Sequence, residues 1–135
     1  AVGLLSSCVI RNNRAHGVQV AERGDLSMTD CKVQHNSLVG VFLRDEGKGR
    51  FAACVVAHNR SHGMAMASGS APLLDGVEVC HNGLAGIFAE NAGSGGRWSD
   101  CKVHDNEQAG IALDREASPK VKRAHVFANG GAGVS

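Results

Sequence analysis

Residues 51–66 read Phe51-Ala52-Ala53-Cys54-Val55-Val56-Ala57-His58-Asn59-Arg60-Ser61-His62-Gly63-Met64-Ala65-Met66. Cys54 and Val56 on one side, and Met64 and Met66 on the other, stand at alternate positions around an Asn-x-x-x-Gly spacer. Apolar residues with a period of two mark strands that bury one face. The spacer recurs at Asn13/Gly17, Asn36/Gly40, Asn59/Gly63, Asn82/Gly86, Asn106/Gly110 and Asn129/Gly133, in steps of 23, 23, 23, 24 and 23 residues. Self-similarity at a fixed period is the mark of a repeat architecture.

The surrounding columns keep the same register. Eight residues before each Asn stand Leu5, Met28, Phe51, Leu74, Trp98 and Val121. Five before it stand Cys8, Cys31, Cys54, Val77, Cys101 and Ala124, and three before it Ile10, Val33, Val56, Val79, Val103 and Val126. After the Gly come Val18, Val41, Met64, Ile87, Ile111 and Val134, then, two further on, Val20, Leu43, Met66, Ala89 and Leu113. No stretch sustains the i, i+3, i+4, i+7 pattern of an amphipathic helix. The chain is therefore expected to be all-β: a right-handed parallel β-helix solenoid of about six coils of 23 residues, with three short strands per coil. Like strands of successive coils would stack about 4.8 Å apart. Asn suits a sharp left-handed turn and can form a coil-to-coil amide ladder. The Gly would relieve crowding or supply positive φ.

Composition agrees with so narrow a core. Among 135 residues there are 18 Gly, four Phe, one Trp and no Tyr, with Val, Leu, Ile, Ala and Cys as the apolar stock. Fourteen basic and 13 acidic residues are well mixed, which argues against nucleic acid or an anionic membrane surface as partner. No apolar run reaches the roughly 18 residues of a membrane span. The five cysteines show no CxxC pattern and mostly occupy an inward column, so reduced thiols and an intracellular, reducing compartment are expected. Residues 1–135 read as a single β-helix domain that begins in mid-pattern, the expectation for a fragment of a longer chain.

The columns Cys-x-Val-x-x-Asn-x-x-x-Gly-Val-x-Val resemble the β-helix repeats of the carbohydrate-binding-and-sugar-hydrolase (CASH) group, which includes the periplasmic NosD-type proteins. The alternation of Pro-bearing loops (Ser68–Pro72, Arg115–Pro119) with glycine loops (Glu46–Gly49, Asn91–Gly96) resembles most the β-helix region of the F-box-only substrate adaptors. That resemblance implies a recognition surface for other proteins. The fold also hosts polysaccharide lyases, hydrolases and epimerases, so the resemblance alone leaves the activity open.

Two candidate surfaces follow. Phe42, Ala65, Phe88 and Ala112 are the middle residues of the third strand and should face outward as an apolar strip, which points to a non-enzymatic module that docks a protein partner. Asp45, Glu90, Asp114 and Arg115 follow that strand and form the alternative, a carbohydrate-binding or carbohydrate-active site of the polysaccharide lyase or epimerase kind. Against the alternative, Ala67 and Ser68 interrupt the charged column, and the Asp-Pro-His-Glu motif of alginate epimerases is absent. His35, His58 and His81 share one corner column and could approach a metal, yet no carboxylate column is expected beside them. No metal or cofactor is therefore assigned. Cys80 lies off the cysteine column and is the expected outward, reactive thiol.

Overall fold

The computed structural model describes residues 2–91 and 95–135, so Ala92, Gly93 and Ser94 of the glycine loop lie outside the described residues. All described secondary structure is β, in three parallel sheets. The first sheet stacks Val2–Ser6, Asp25–Thr29, Lys48–Ala52, Leu73–Asp75, Arg97–Ser99 and Lys120–Lys122. The second stacks Val9–Arg11, Lys32–Gln34, Val55–Ala57, Glu78–Cys80, Lys102–His104 and His125–Phe127. The third stacks Val18–Val20, Val41–Leu43, Met64–Met66, Ile87–Glu90 and Ile111–Asp114, and the sixth coil adds only a bridge between Val134 and Ile111. The solenoid thus makes five complete turns and most of a sixth. Among the described residues no helix is long and apolar enough to cross a membrane.

Pairing keeps the sequence columns aligned, with Val33 opposite Val56, Leu74 opposite Trp98, and Val41 opposite Met64. These side chains point inward and form one continuous core, in which Trp98 is 1% exposed and its indole N–H donates to the Gly95 carbonyl (2.5 Å). Burial fails only at the ends of the columns. Val121 and Val134 are 44% and 59% exposed because the sixth coil has a neighbour on one side only.

A complete coil turns at three corners, and among the described residues positive φ marks each of them. Residues just before the Cys column (Asp30, Ala53, Asp100) and just before the ladder Asn (His35, His58, His81, Asp105) are left-handed, with φ between 52° and 56°. The third corner uses two such residues in succession, as at Asp45–Glu46 and Arg115–Glu116. Left-handed geometry therefore falls one residue earlier than the sequence assigned it. The ladder asparagines keep ordinary backbone angles, and His or Asp, which tolerate this region better than most side chains, carries the turn.

The ladder itself is present. Asn59 Oδ1 accepts from the backbone N–H and Nδ2 of Asn36 (3.1 and 3.0 Å), while Asn59 Nδ2 donates to Asn82 Oδ1 (3.1 Å) and to the Val33 carbonyl (3.3 Å). The same pattern runs from Asn13 to Asn129. Of the two roles foreseen for the glycine, crowding is the operative one. A Cβ on Gly63 would stand 2.4 Å from Val79 Cγ1 and 2.6 Å from Asn82 Nδ2, and its φ is not positive.

Candidate functional site

The third sheet and the corner that follows it carry both sequence-derived surfaces. Phe42, Ala65, Phe88 and Ala112 are register partners across four strands, so they form the outward column expected of them. The strip is less open than the sequence implied. The His16 ring lies 4.9 Å from that of Phe42, and the His62 ring stacks on Phe88 at 4.8 Å, 9° from parallel. Both phenylalanines are half-buried as a result, and Ala65, in register between them, is 5% exposed. Each histidine is pinned from the next coil: His16 Nδ1 accepts from Val39 N–H, and His62 Nδ1 from Ala85 N–H, both at 3.1 Å. Burial lowers both imidazoles below their ordinary pKa. Neutral, each carries its remaining proton on Nε2.

Beside this strip the third corner forms an open groove lined by Glu22, Arg23, Asp45, Glu46, Ser68, Gly69 and Asn91, a polar set drawn from four consecutive coils. Arg23 Nε meets Glu46 Oε2 at 2.8 Å and Arg44 Nε lies 3.7 Å from Asp45 Oδ2. Of the acidic candidates, Glu90 and Asp114 are register neighbours, and the Asp114 carboxylate accepts the backbone N–H of Arg115 (2.8 Å). Asp45 stands apart, beyond the coil that carries Ala67 and Ser68. The four charged candidates are thus not one cluster.

A second constellation occupies the outer face of the second sheet. His35, His58 and His81 stack face to face, with ring centroids 5.1 and 5.0 Å apart. The stack then breaks, for the His104 ring meets His81 edge-on at 6.0 Å and 79°. Cys80 and His104 are register partners, and Cys80 Sγ and the ring nitrogens of His81 and His104 lie within 4.8 Å of one another. His104 Nε2 is 2.7 Å from Glu78 Oε2 and Nδ1 is 2.5 Å from Asp105 Oδ2. Burial opposes the charged imidazole, but these two carboxylates outweigh it and raise the His104 pKa.

Carboxylates therefore do adjoin the histidine column, contrary to the sequence-based expectation. Asp105 takes the next corner position, and Glu78 reaches across from the neighbouring coil. The signal was available: Cys80-His81 and His104-Asp105 are dipeptides 24 residues apart, which is one coil. Cys80 also departs from expectation. It faces outward but is 6% exposed among outer-face neighbours, and burial, with the nearby Glu78 and Asp105 charges, pushes its thiol up to about 11. All five cysteines are unpaired, and Cys8 in the first coil is the only one not fully buried.

Residues 3–135 match the family described as right-handed beta helix region. No curated protein matches the sequence. Among solved structures, the chain is similar to the mannuronan C-5 epimerase AlgE6 A-module of Azotobacter vinelandii, with a TM-score of 0.84 and 17% identity over 98% of this chain. The chain spans 38% of that module's length. The likeness is one of fold.

Proposed function

Because the chain belongs to the right-handed β-helix family, a rod with one set of side chains per coil, we propose that it binds an extended carbohydrate polymer along the third-corner groove. The observation that carries this reading is the run of hydrogen-bonding groups on four successive coils, from Glu22–Arg23 through Asp45–Glu46 and Ser68 to Asn91. Stacked coils repeat every 4.8 Å or so, a step close to that of one pyranose in an extended chain, so successive sugars meet equivalent corners. The fold likeness to a carbohydrate-active module supports the same class of ligand.

Charge narrows the class. The groove contributes the acids Glu22, Asp45 and Glu46, of which Glu46 meets Arg23 and Asp45 meets Arg44, so acids outnumber cations by one. With both guanidinium groups engaged by carboxylates, such a lining has little to attract a polyuronate and suits a neutral glycan, whose hydroxyls both donate to carboxylates and accept from Arg23. The proposal is binding without turnover, since Asp45 is separated from Glu90 and Asp114 by the Ala67–Ser68 coil. Affinity electrophoresis through neutral β-linked glucans and mannans, with alginate alongside, tests it. The parent chain is expected to be retarded by a neutral polymer. An Asp45→Ala/Glu46→Ala double variant with a normal melt should migrate freely. Retardation that survives the double variant, or none with any neutral polymer, would sink the reading.

A second reading rests on the in-register Phe42–Ala65–Phe88–Ala112 column, which fits a protein-docking strip. Under that reading Phe42→Ser and Phe88→Ser abolish partner capture while leaving glycan retardation untouched. Truncating a buried aromatic anchor at an interface costs about 2 kcal/mol or more.

A further inference from the structure

We infer that Cys80, His81 and His104 form a zinc-type site that clamps the fourth coil to the fifth. Three independent features meet there. The sulfur and the two imidazole nitrogens converge within 4.8 Å of one another. Zinc bonds of about 2.0–2.3 Å place tetrahedral ligand atoms roughly 3.5 Å apart, so side-chain rotation of about 1 Å closes the site without moving the stacked backbone. The rings also change orientation at this point. His35, His58 and His81 present faces to each other and cannot aim lone pairs at a common centre, whereas the 79° angle between His81 and His104 turns ring edges together.

The third feature is the pair of carboxylates on His104. Glu78 and Asp105 hold its two ring nitrogens at 2.7 and 2.5 Å. On metal binding one carboxylate yields its place to the cation. The other stays on the far nitrogen and fixes the ring, the support that metal-bound histidines commonly have. The donor set chooses the metal: one sulfur and two imidazoles suit zinc or cobalt, while magnesium and calcium take oxygen ligands. The fourth position falls to the displaced carboxylate or to water. Binding releases the Cys80 thiol proton and the proton on the His104 nitrogen that takes the metal, so occupancy rises with pH.

Cobalt(II) titration of the full chain, with a non-coordinating reductant present, tests the site. The expected result is one cobalt per chain with a thiolate-to-cobalt charge-transfer band, displaced by zinc, and a melting temperature that rises with zinc concentration. The band should persist in Cys8→Ser and in His58→Asn, and vanish in Cys80→Ser. His104→Asn should weaken binding about tenfold or more. Should Cys80→Ser fail to fold, His104→Asn and the Cys8→Ser control still decide the matter. The inference fails if no charge-transfer band forms. It fails equally if the band is lost in Cys8→Ser, or if binding is undiminished in His104→Asn, which would place the metal on the histidine stack or on exposed acids.

Discussion

Asn59 is 2% exposed, and its amide ties three coils together: it accepts two hydrogen bonds from Asn36 and donates to Asn82 and to Val33. Truncation to Ala strands two donors on Asn36 in a place water cannot reach, while Asn82 Oδ1 keeps the backbone N–H of residue 59. Leaving buried polar groups unsatisfied costs about 1–3 kcal/mol each, so Asn59→Ala should lower unfolding free energy by about 3 kcal/mol. Its neighbour Arg60 is exposed, and Arg60→Ala should stay within about 0.5 kcal/mol of the parent. Urea melts of the two variants check the contrast, and equal midpoints would refute the ladder's role. The glycine four residues on serves the same ladder from the other side, since its missing Cβ is the space that the next coil's Asn amide and Val methyl occupy.

At the scale of the corner element, His58 at the centre of the histidine stack makes stability sensitive to acid. Burial lowers the pKa of His58, and the His81 and His35 imidazoles at 5.0 and 5.1 Å lower it further. A folded-state pKa below the unfolded value of 6.5 means the unfolded chain binds more protons in that window. Its stabilising contribution is complete above pH 6.5 and is lost as pH falls towards the folded value. His16 and His62 act in the same direction, and His104, whose pKa is raised, acts in the opposite one. His58→Asn keeps a side chain that tolerates the left-handed corner and removes the central charge. Between about pH 7.5 and about pH 5, straddling the ordinary His pKa, its melting temperature should fall less than the parent's. Parallel falls in the two proteins would show that His58 contributes nothing to the acid sensitivity.

For the whole molecule, stability is a sum over neighbouring coils, because each strand pairs only with its counterparts one coil above and below. The middle coils bury their columns on both sides, around Val33, Leu43, Val56, Met66 and Val79. In the outermost coils these columns are open, with Val121 and Val134 exposed and Leu5, Cys8 and Ile10 only partly buried. Native-state hydrogen exchange should therefore show protection that rises from either end to a maximum near residues 41–80. Local opening follows burial and contact density. Uniform protection along the chain would mean that the solenoid opens only as a unit.

The sequence by itself determined the period, the three strands, the inward columns and the Asn ladder, because in a solenoid residues one period apart become spatial neighbours. Leu74 opposite Trp98, and Phe42 opposite Ala65, follow from counting alone. Counting does not reveal how side chains lean between columns, and that is where the tertiary structure decided the outcome. His16 and His62 come from the corner column and close over Phe42 and Phe88 of a neighbouring strand column. Cys80, outward by alternation, is buried by what surrounds it on the outer face. The left-handed residue sits before the ladder Asn because the Asn side chain must point into the solenoid to reach its stacked partners, which leaves the turn to His35, His58 and His81. The convergence of Cys80, His81 and His104 depended on the same thing. Adjacent columns meet at a corner, and the angle between ring planes there is set by packing across coils.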